Sequence, residues 1–310
     1  MTTNTVVTIL MITSLALISC KKDNKDESTT NTLFLYLLDQ ASGNCATISK
    51  STTSGVTTYT ATANGVPKGG CNESTLASYV ATPAEAKTKS DSDYDARLAV
   101  LNSHSECSAI ATAVTVLKNA VTATTIETAA AASSTGCTAV GGQGFAGASI
   151  YCKDAASLTT YKSNIRYKAI SDAKTDMATN HTGSITAYTA QNTALGLKFT
   201  TSAIASLRVA NATELTLLKS PSTGALLSAT TSASCINKIY AANPDLKTLI
   251  TKSYGLSSGE TTITSAERAA VTETIQILGL TCRYGTNVTA TTTSGFSAGI
   301  GLCPSSYESF

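Results

Sequence analysis

Thr82-Pro83-Ala84-Glu85, followed by Tyr94, Leu98 and Leu101, is the stretch on which the fold turns. A threonine hydroxyl can accept a backbone N–H of the first turn, proline suits the first helical position, and a glutamate three residues after the threonine completes a capping box. The three apolar residues then recur at i, i+4 and i+7, the spacing of one helical face. The same grammar recurs downstream. Ser103-His104-Ser105-Glu106 reads as a second box, ahead of Cys107, Ile110, Val114, Leu117 and Val121. The Ala129–Ala132 run prolongs that helix, and Gly136 stops it. Asp154 heads a helix through Leu158, Tyr161, Ile165, Ala169 and Ala173. Ile185, Tyr188 and Leu195 mark another, and Ile204, Leu207, Asn211, Leu215 and Leu218 the next, which Pro221 terminates. Cys235, Ile236, Ile239 and Tyr240 share a face, and Asn243-Pro244 restarts a helix with Leu246, Leu249 and Ile250, ended by Gly255. Thr264-Ser265-Ala266-Glu267 is a third box, leading to Val271, Ile275 and Leu278. The fold expected is mainly α: a disulfide-stapled helical bundle of about eight helices.

Other stretches break the pattern. Val56-Thr57-Thr58-Tyr59-Thr60-Ala61-Thr62 is β-branched and aromatic, and Asn64-Gly65 is a turn dipeptide. Together they predict a small β-hairpin or loop insertion near the N-terminus. Gly136 to Cys152 is glycine-rich and divides an N-terminal helical region, 32–135, from a C-terminal one, 136–310, unless the two form one domain. Thr32–Gln40 is leucine-rich and reads as a short buried helix, and the tail from Cys282 to Phe310 as irregular.

At the N-terminus an apolar run, Val6 to Ile18, ends in Leu17-Ile18-Ser19-Cys20 and an abrupt polar turn at Lys21-Lys22. This is the layout of a lipoprotein signal peptide, residues 1–19, cut before a cysteine that takes fatty acid. Met1–Thr5 has no lysine or arginine, and Ile18 is bulkier than the usual residue before such a cleavage site. An ordinary signal peptide or an uncleaved anchor is the alternative. Residues 20–31 are charged and free of large apolar side chains, so they form a flexible tether. Of nine cysteines, lipidation of Cys20 leaves an even set: Cys45, Cys71, Cys107, Cys137, Cys152, Cys235, Cys282 and Cys303. An even count in an exported chain is a disulfide framework. The local choice among the many pairings is Cys45–Cys71, Cys137–Cys152 and Cys282–Cys303, which leaves Cys107 for Cys235.

With 22 basic and 20 acidic residues and no basic stripe, nucleic acid is not an expected partner. Gly255-Leu256-Ser257-Ser258-Gly259 matches a nucleophile elbow in letters only, since it follows a helix and both histidines, His104 and His181, precede it. Ser171-Asp172-Ala173-Lys174 lacks the Lys-Thr-Gly that penicillin-recognising enzymes need. His104 lies one turn from Cys107, but two histidines are too few for a histidine zinc site. The glycines at 141–147 lack the lysine of a phosphate loop. No catalytic residue, metal site or cofactor is therefore assigned.

The relaxed Leu17–Cys20 box, the tether, the leucine-rich helix before the first disulfide cysteine and the Ala/Thr/Ser-rich helices resemble uncharacterised lipoproteins of leptospiral spirochaetes. The resemblance implies export, acylation and anchoring to the cell envelope, at the outer membrane or surface rather than the inner membrane. It carries over no activity and no site residues. The expectation is a non-enzymatic envelope lipoprotein that binds or displays a protein or host component. The alternatives are an exported carboxylate-based hydrolase and a structural or assembly factor.

Overall fold

Among the described elements of the larger unit, the first and the last strand belong to one sheet. The computed structural model describes residues 36, 43–63, 66–141, 148–170, 207–254, 262–276, 280–285, 300–303 and 307. Ser42–Phe310 forms one compact unit. Of the separate unit Met1–Ala41 only Tyr36, a helical residue, is described. The expected signal peptide, tether and leucine-rich helix otherwise lie outside the described residues, as do the helix at 185–195 and Gly255.

The mainly α expectation is overturned: the fold is mixed α/β, and the described residues form one five-stranded and two three-stranded sheets. In the largest sheet β1 (Asn44–Thr53) and β2 (Val56–Ala63) pair antiparallel in register, Ala46 opposite Ala63 and Thr53 opposite Val56. Ser54 and Gly55 join them, both at positive φ, 51° and 79°. Two consecutive left-handed residues match the right-handed twist of the flanking strands, which is why two-residue hairpins use them. The turn therefore falls at Ser54-Gly55, ahead of the Asn64-Gly65 dipeptide, which lies outside the described residues. Strand β6 (Ile165–Ile170) adds to β1, and β10 (Leu280–Gly285) adds to β2 with β11 (Ile300–Leu302) beyond it. The helix expected from Asp154 to Ala173 ends instead at Ser163, and the irregular tail contains two strands.

One face of this sheet packs a core of Ala46, Ile48, Ala61, Ala63, Ile170, Cys282 and Tyr284, capped by Tyr307. Tyr59 and Tyr284 lie opposite in register and stack at 4.7 Å. The other face is hydroxyl-rich, with Thr47, Ser49 and Ser51 opposite Thr62, Thr60 and Thr58. One wet face and one dry face is the ordinary condition of an antiparallel sheet.

The helical part follows the reading more closely. Helix α2 (Pro83–Asn102) is the long one, after the single turn α1 (Glu73–Leu76). Thr82 Oγ1 accepts the Glu85 N–H at 3.1 Å, and Glu85 Oε2 reaches one residue further back, to the Ala81 N–H, at 2.9 Å. Tyr94, Leu98 and Leu101 are buried as expected. The second box does not form: Ser105–Cys107 is a 3₁₀ turn, Ser105 bonds Glu106 instead, and α3 (Ser108–Ala120) begins after it. The alanine run does not prolong α3. The chain bends by 68°, and α4 (Ala123–Ala132) starts afresh on a capping box made by Thr122 and Thr125. Among the described residues no single helix is long and apolar enough to cross a membrane.

Gly136 to Cys152 is also not a plain linker. Strands β4 (Cys137–Val140) and β5 (Ser149–Cys152) pair antiparallel, with β3 (Ser78–Val80) parallel on the far side of β5. After α5 (Ala155–Ser163) and the short β7 (Leu207–Val209), Asn211 caps α6 (Ala212–Leu218), so the helix expected from 204 starts later. Pro221 opens α7 (Pro221–Ser228) where a stop was expected, because Ser220 caps it and proline sits at the first position. Helices α8 (Ala233–Ala242) and α9 (Pro244–Lys252) bury the expected faces in the same core as α2: Ile236, Ile239, Leu246 and Ile250 are all at most 1% exposed. The third sheet, β7-β9-β8, contains β8 (Ser253–Tyr254) and β9 (Thr274–Gln276). Ile275 thus enters the core from a strand rather than from the helix expected there.

The third capping box is formed at α10 (Ser265–Ala269). Glu267 Oε2 accepts the Thr264 N–H at 2.7 Å, and its Oε1 meets Lys247 Nζ of α9, also at 2.7 Å. The lysine first, then the Thr264 N–H, holds the Glu267 carboxyl down at about 2, from an ordinary 4.5. A folded value below the unfolded one means that the stabilisation is complete above pH 4.5 and is lost as pH falls toward 2. Glu267→Gln is therefore expected to lower the melting temperature at pH 7, and the gap from the parent should close in melts run down to pH 2. Thr264→Ala should cost about 1 kcal/mol as the loss of a cap.

Four disulfides hold these parts, with the pairing expected: Cys45–Cys71, Cys107–Cys235, Cys137–Cys152 and Cys282–Cys303. The first ties β1 to the 3₁₀ turn at Lys68–Gly70, the second the start of α3 to α8, the third β4 to β5, and the fourth β10 to the residue after β11.

Candidate functional site

Helix α2 buries one charge. Arg97 falls between Tyr94 and Leu98 on the face turned inward, and it is 3% exposed. Its Nη1 donates to Ser228 Oγ of α7 at a long 3.4 Å, and its Cζ lies 5.0 Å from the Tyr94 ring centroid. The Nε is buried without a partner. Gly224 of α7 lets that helix lie against the guanidinium, since a Cβ there would come 3.2 Å from Nε. Desolvation depresses the Arg97 pKa, and Tyr94 and Asp93 pull it the other way. Among the described residues no carboxylate pairs with it. Asp93, one turn back on the same helix, is the acid that partly offsets this burial.

The same side chain borders a cavity of about 300 Å³, whose wall it shares with Ser90 and Asp93 of α2. Thr125, Ile126 and Ala129 of α4 face them across it, and β4 with Gly141 closes one end. Two local features shape the space. The bend between α3 and α4 swings the second helix across α2, and Cys137–Cys152 pins β4 beneath it. Gly141, at φ +63°, lets the chain pass close to the acid, because a Cβ there would fall 2.5 Å from Asp93 Oδ2. Asp93 and Arg97 stand one turn apart, so their backbones are separated by about 6 Å along the helix axis. The cavity thus presents a carboxylate and a guanidinium side by side on a partly apolar floor.

A larger space of about 700 Å³ lies between α6 and α9, lined by Asp245 and by two charged groups that are engaged elsewhere. Glu214 completes the Asn211 capping box, and Lys252 pairs with Glu273 at 2.7 Å. A third cluster joins Glu73, Tyr79, Tyr161 and Lys162. The lysine is 2.8 Å from Glu73 Oε1 and 4.2 Å from the Tyr79 ring centroid. Burial, then its neighbours Tyr167 and Glu73, pushes the Tyr79 hydroxyl well above the ordinary range, so it stays a proton donor.

The residues singled out from sequence are not brought together. Cys20, Ser171, Lys174, His181 and Ser257 lie outside the described residues, as do the glycines at 142–147. Cys107 is held in a disulfide, and His104 lies beside it at the start of the 3₁₀ turn. Asn211 serves as a helix cap. Among the described residues no group of three or more His, Cys, Asp or Glu could hold a metal ion. Arg97 sits among the apolar members of the α2 stripe, Tyr94, Leu98 and Leu101, which dominate its pattern. The signal was the charge inside that stripe.

Residues 31–150 match the model of a family of unknown function, DUF8717. Every residue that lines the Arg97 cavity falls inside that match. No curated protein and no solved structure matches the chain.

Proposed function

We propose that the chain is an exported, lipid-anchored envelope protein that works by binding rather than by catalysis. The disulfide framework carries this reading: all eight cysteines after Cys20 are paired, which leaves the one in the Leu17–Cys20 box outside the framework. Four structural disulfides favour an oxidising compartment. A diacyl or triacyl cysteine holds a membrane stably where a single chain does not. Binding is favoured over hydrolysis because the cavity sets a cation beside an acid, with no nucleophile–base pair among the described residues that line it.

The test is intact mass of the protein extracted from membranes of its native host. Cleavage before Cys20, a mass gain of two or three acyl chains and no thiol reactive under denaturing conditions are expected. Cys20→Ser should move the protein out of the membrane fraction. An unprocessed chain with free thiols overturns the proposal.

A further inference from the structure

We propose that Cys137–Cys152 is a reversible redox switch, the one of the four disulfides that an external dithiol opens while the rest of the fold stands. The proposal goes beyond the binding reading and does not depend on acylation. Strand register sets this bond apart. Cys137 and Cys152 lie directly opposite in the antiparallel β4–β5 ladder. In the next pair along, the Lys153 N–H donates to the Gly136 carbonyl at 2.9 Å. The cysteines therefore occupy a pair without ladder bonds of its own, where the two backbones come closest. Their Cα atoms stand 4.0 Å apart, against 4.7–5.0 Å in the other three bonds. A bridge is ordinarily relaxed above about 4.4 Å, and a crowded one is easier to reduce.

The fold also tolerates the opening of this bond best. Its cysteines are 15 positions apart, the least of the four, so chain entropy gives it the smallest stabilisation. The ladder through Val140 and the burial of Val140 and Tyr151 beside Ile126 and Ala130 remain when the sulfurs part. A released Cys137 thiol has an acceptor in place, since its Sγ lies 3.6 Å from the Ser157 carbonyl oxygen of α5. The reductant's thiolate attacks Cys152 Sγ, the more exposed of the two at 9% against 5%. The S–S bond breaks, and Cys137 leaves as a thiolate and takes a proton. The second thiol of the reductant then displaces Cys152, so two electrons and two protons pass to the protein and the dithiol becomes a disulfide. Strand β4 stands at the edge of its sheet, and Thr138, Ala139 and Val140 line the Arg97 cavity. Opening the bond loosens that wall.

The experiment equilibrates the native full-length protein in detergent with graded ratios of reduced to oxidised dithiothreitol, blocks the thiols formed with iodoacetamide and maps them by peptide mass. Cys137 and Cys152 are expected to be half labelled at a ratio about tenfold lower than any other pair. Hydrogen exchange should then rise across residues 137–140 and hold in α8, and re-oxidation should reverse it. The double variant Cys137→Ala, Cys152→Ala should show the same exchange without reductant. If that variant does not fold, labelling of the parent still decides. Cys45–Cys71 and Cys282–Cys303 are the rivals, because Cys71 and Cys303 are more exposed than either cysteine of the switch. Opening of either rival first, opening of all four bonds together with loss of structure, or selective opening with no change at 137–140 would each overturn the proposal.

Discussion

Replacing Cys107 and Cys235 together with alanine is expected to destabilise the protein by about 4–5 kcal/mol, the largest loss from any one of the four disulfides. These residues stand 128 positions apart, against 15 for Cys137–Cys152, for which about 3 kcal/mol is expected. A cross-link restricts the unfolded chain more when it closes a longer loop. The site adds a second cost, because both cysteines are 0% exposed and belong to the same core cluster as Ile236 and Val114. Urea denaturation of the two double variants, each in the otherwise oxidised chain, gives the ranking. If the short loop proves the costlier to open, chain entropy is not what these bonds contribute.

Leu246→Ala is the second change with a large expected effect, a loss of about 2–5 kcal/mol. The side chain is fully buried in the first turns of α9, where it packs with α8 and with Ile275. Alanine leaves a cavity that a helix tied on both sides closes only in part. Leu117→Ala is the matched control. It belongs to an equally regular apolar stripe, yet its side chain is 55% exposed, so its loss should fall within about 0.5 kcal/mol. Equal costs for the two would mean that Leu117 is covered in solution.

The helices that could be read from sequence are those with large aliphatic side chains on one face and a cap at the start. Thr82, Thr264 and the Cys235–Tyr240 and Leu246–Ile250 faces are of that kind. Of the strands, the β-branched run Val56–Thr62 announced β2, while its partner β1 was hidden by its small residues. On β1 and β2 the core face is Ala46, Ala61 and Ala63 with a single Ile48, and alanine on its own is read as helical. A hydroxyl on every second residue completes the alternation, but Ser-Gly is a weaker hairpin signal than Asn-Gly. At Ile165–Ile170 a helical spacing could be drawn through Ile165 and Ala169, while the competing period-two pattern was real. The disulfide pairing was legible because three of the four bonds are local. The cavity was not, since its walls come from α2, α4 and β4, and nothing local to Arg97 announces that α7 will cover it.

The order of the largest sheet bears on how the chain is made. Ala61 is next to Cys282 across the ladder, so the hairpin of residues 44–63 emerges first and waits for a neighbour that is synthesised near the end. Until then its β2 edge offers unpaired N–H and C=O groups to any other strand it meets. Contacts between such distant parts of a chain form slowly. A chain made from its N-terminus therefore needs that edge shielded until its last part is in place, and a truncation that removes the last thirty or so residues should yield aggregates rather than a smaller soluble domain.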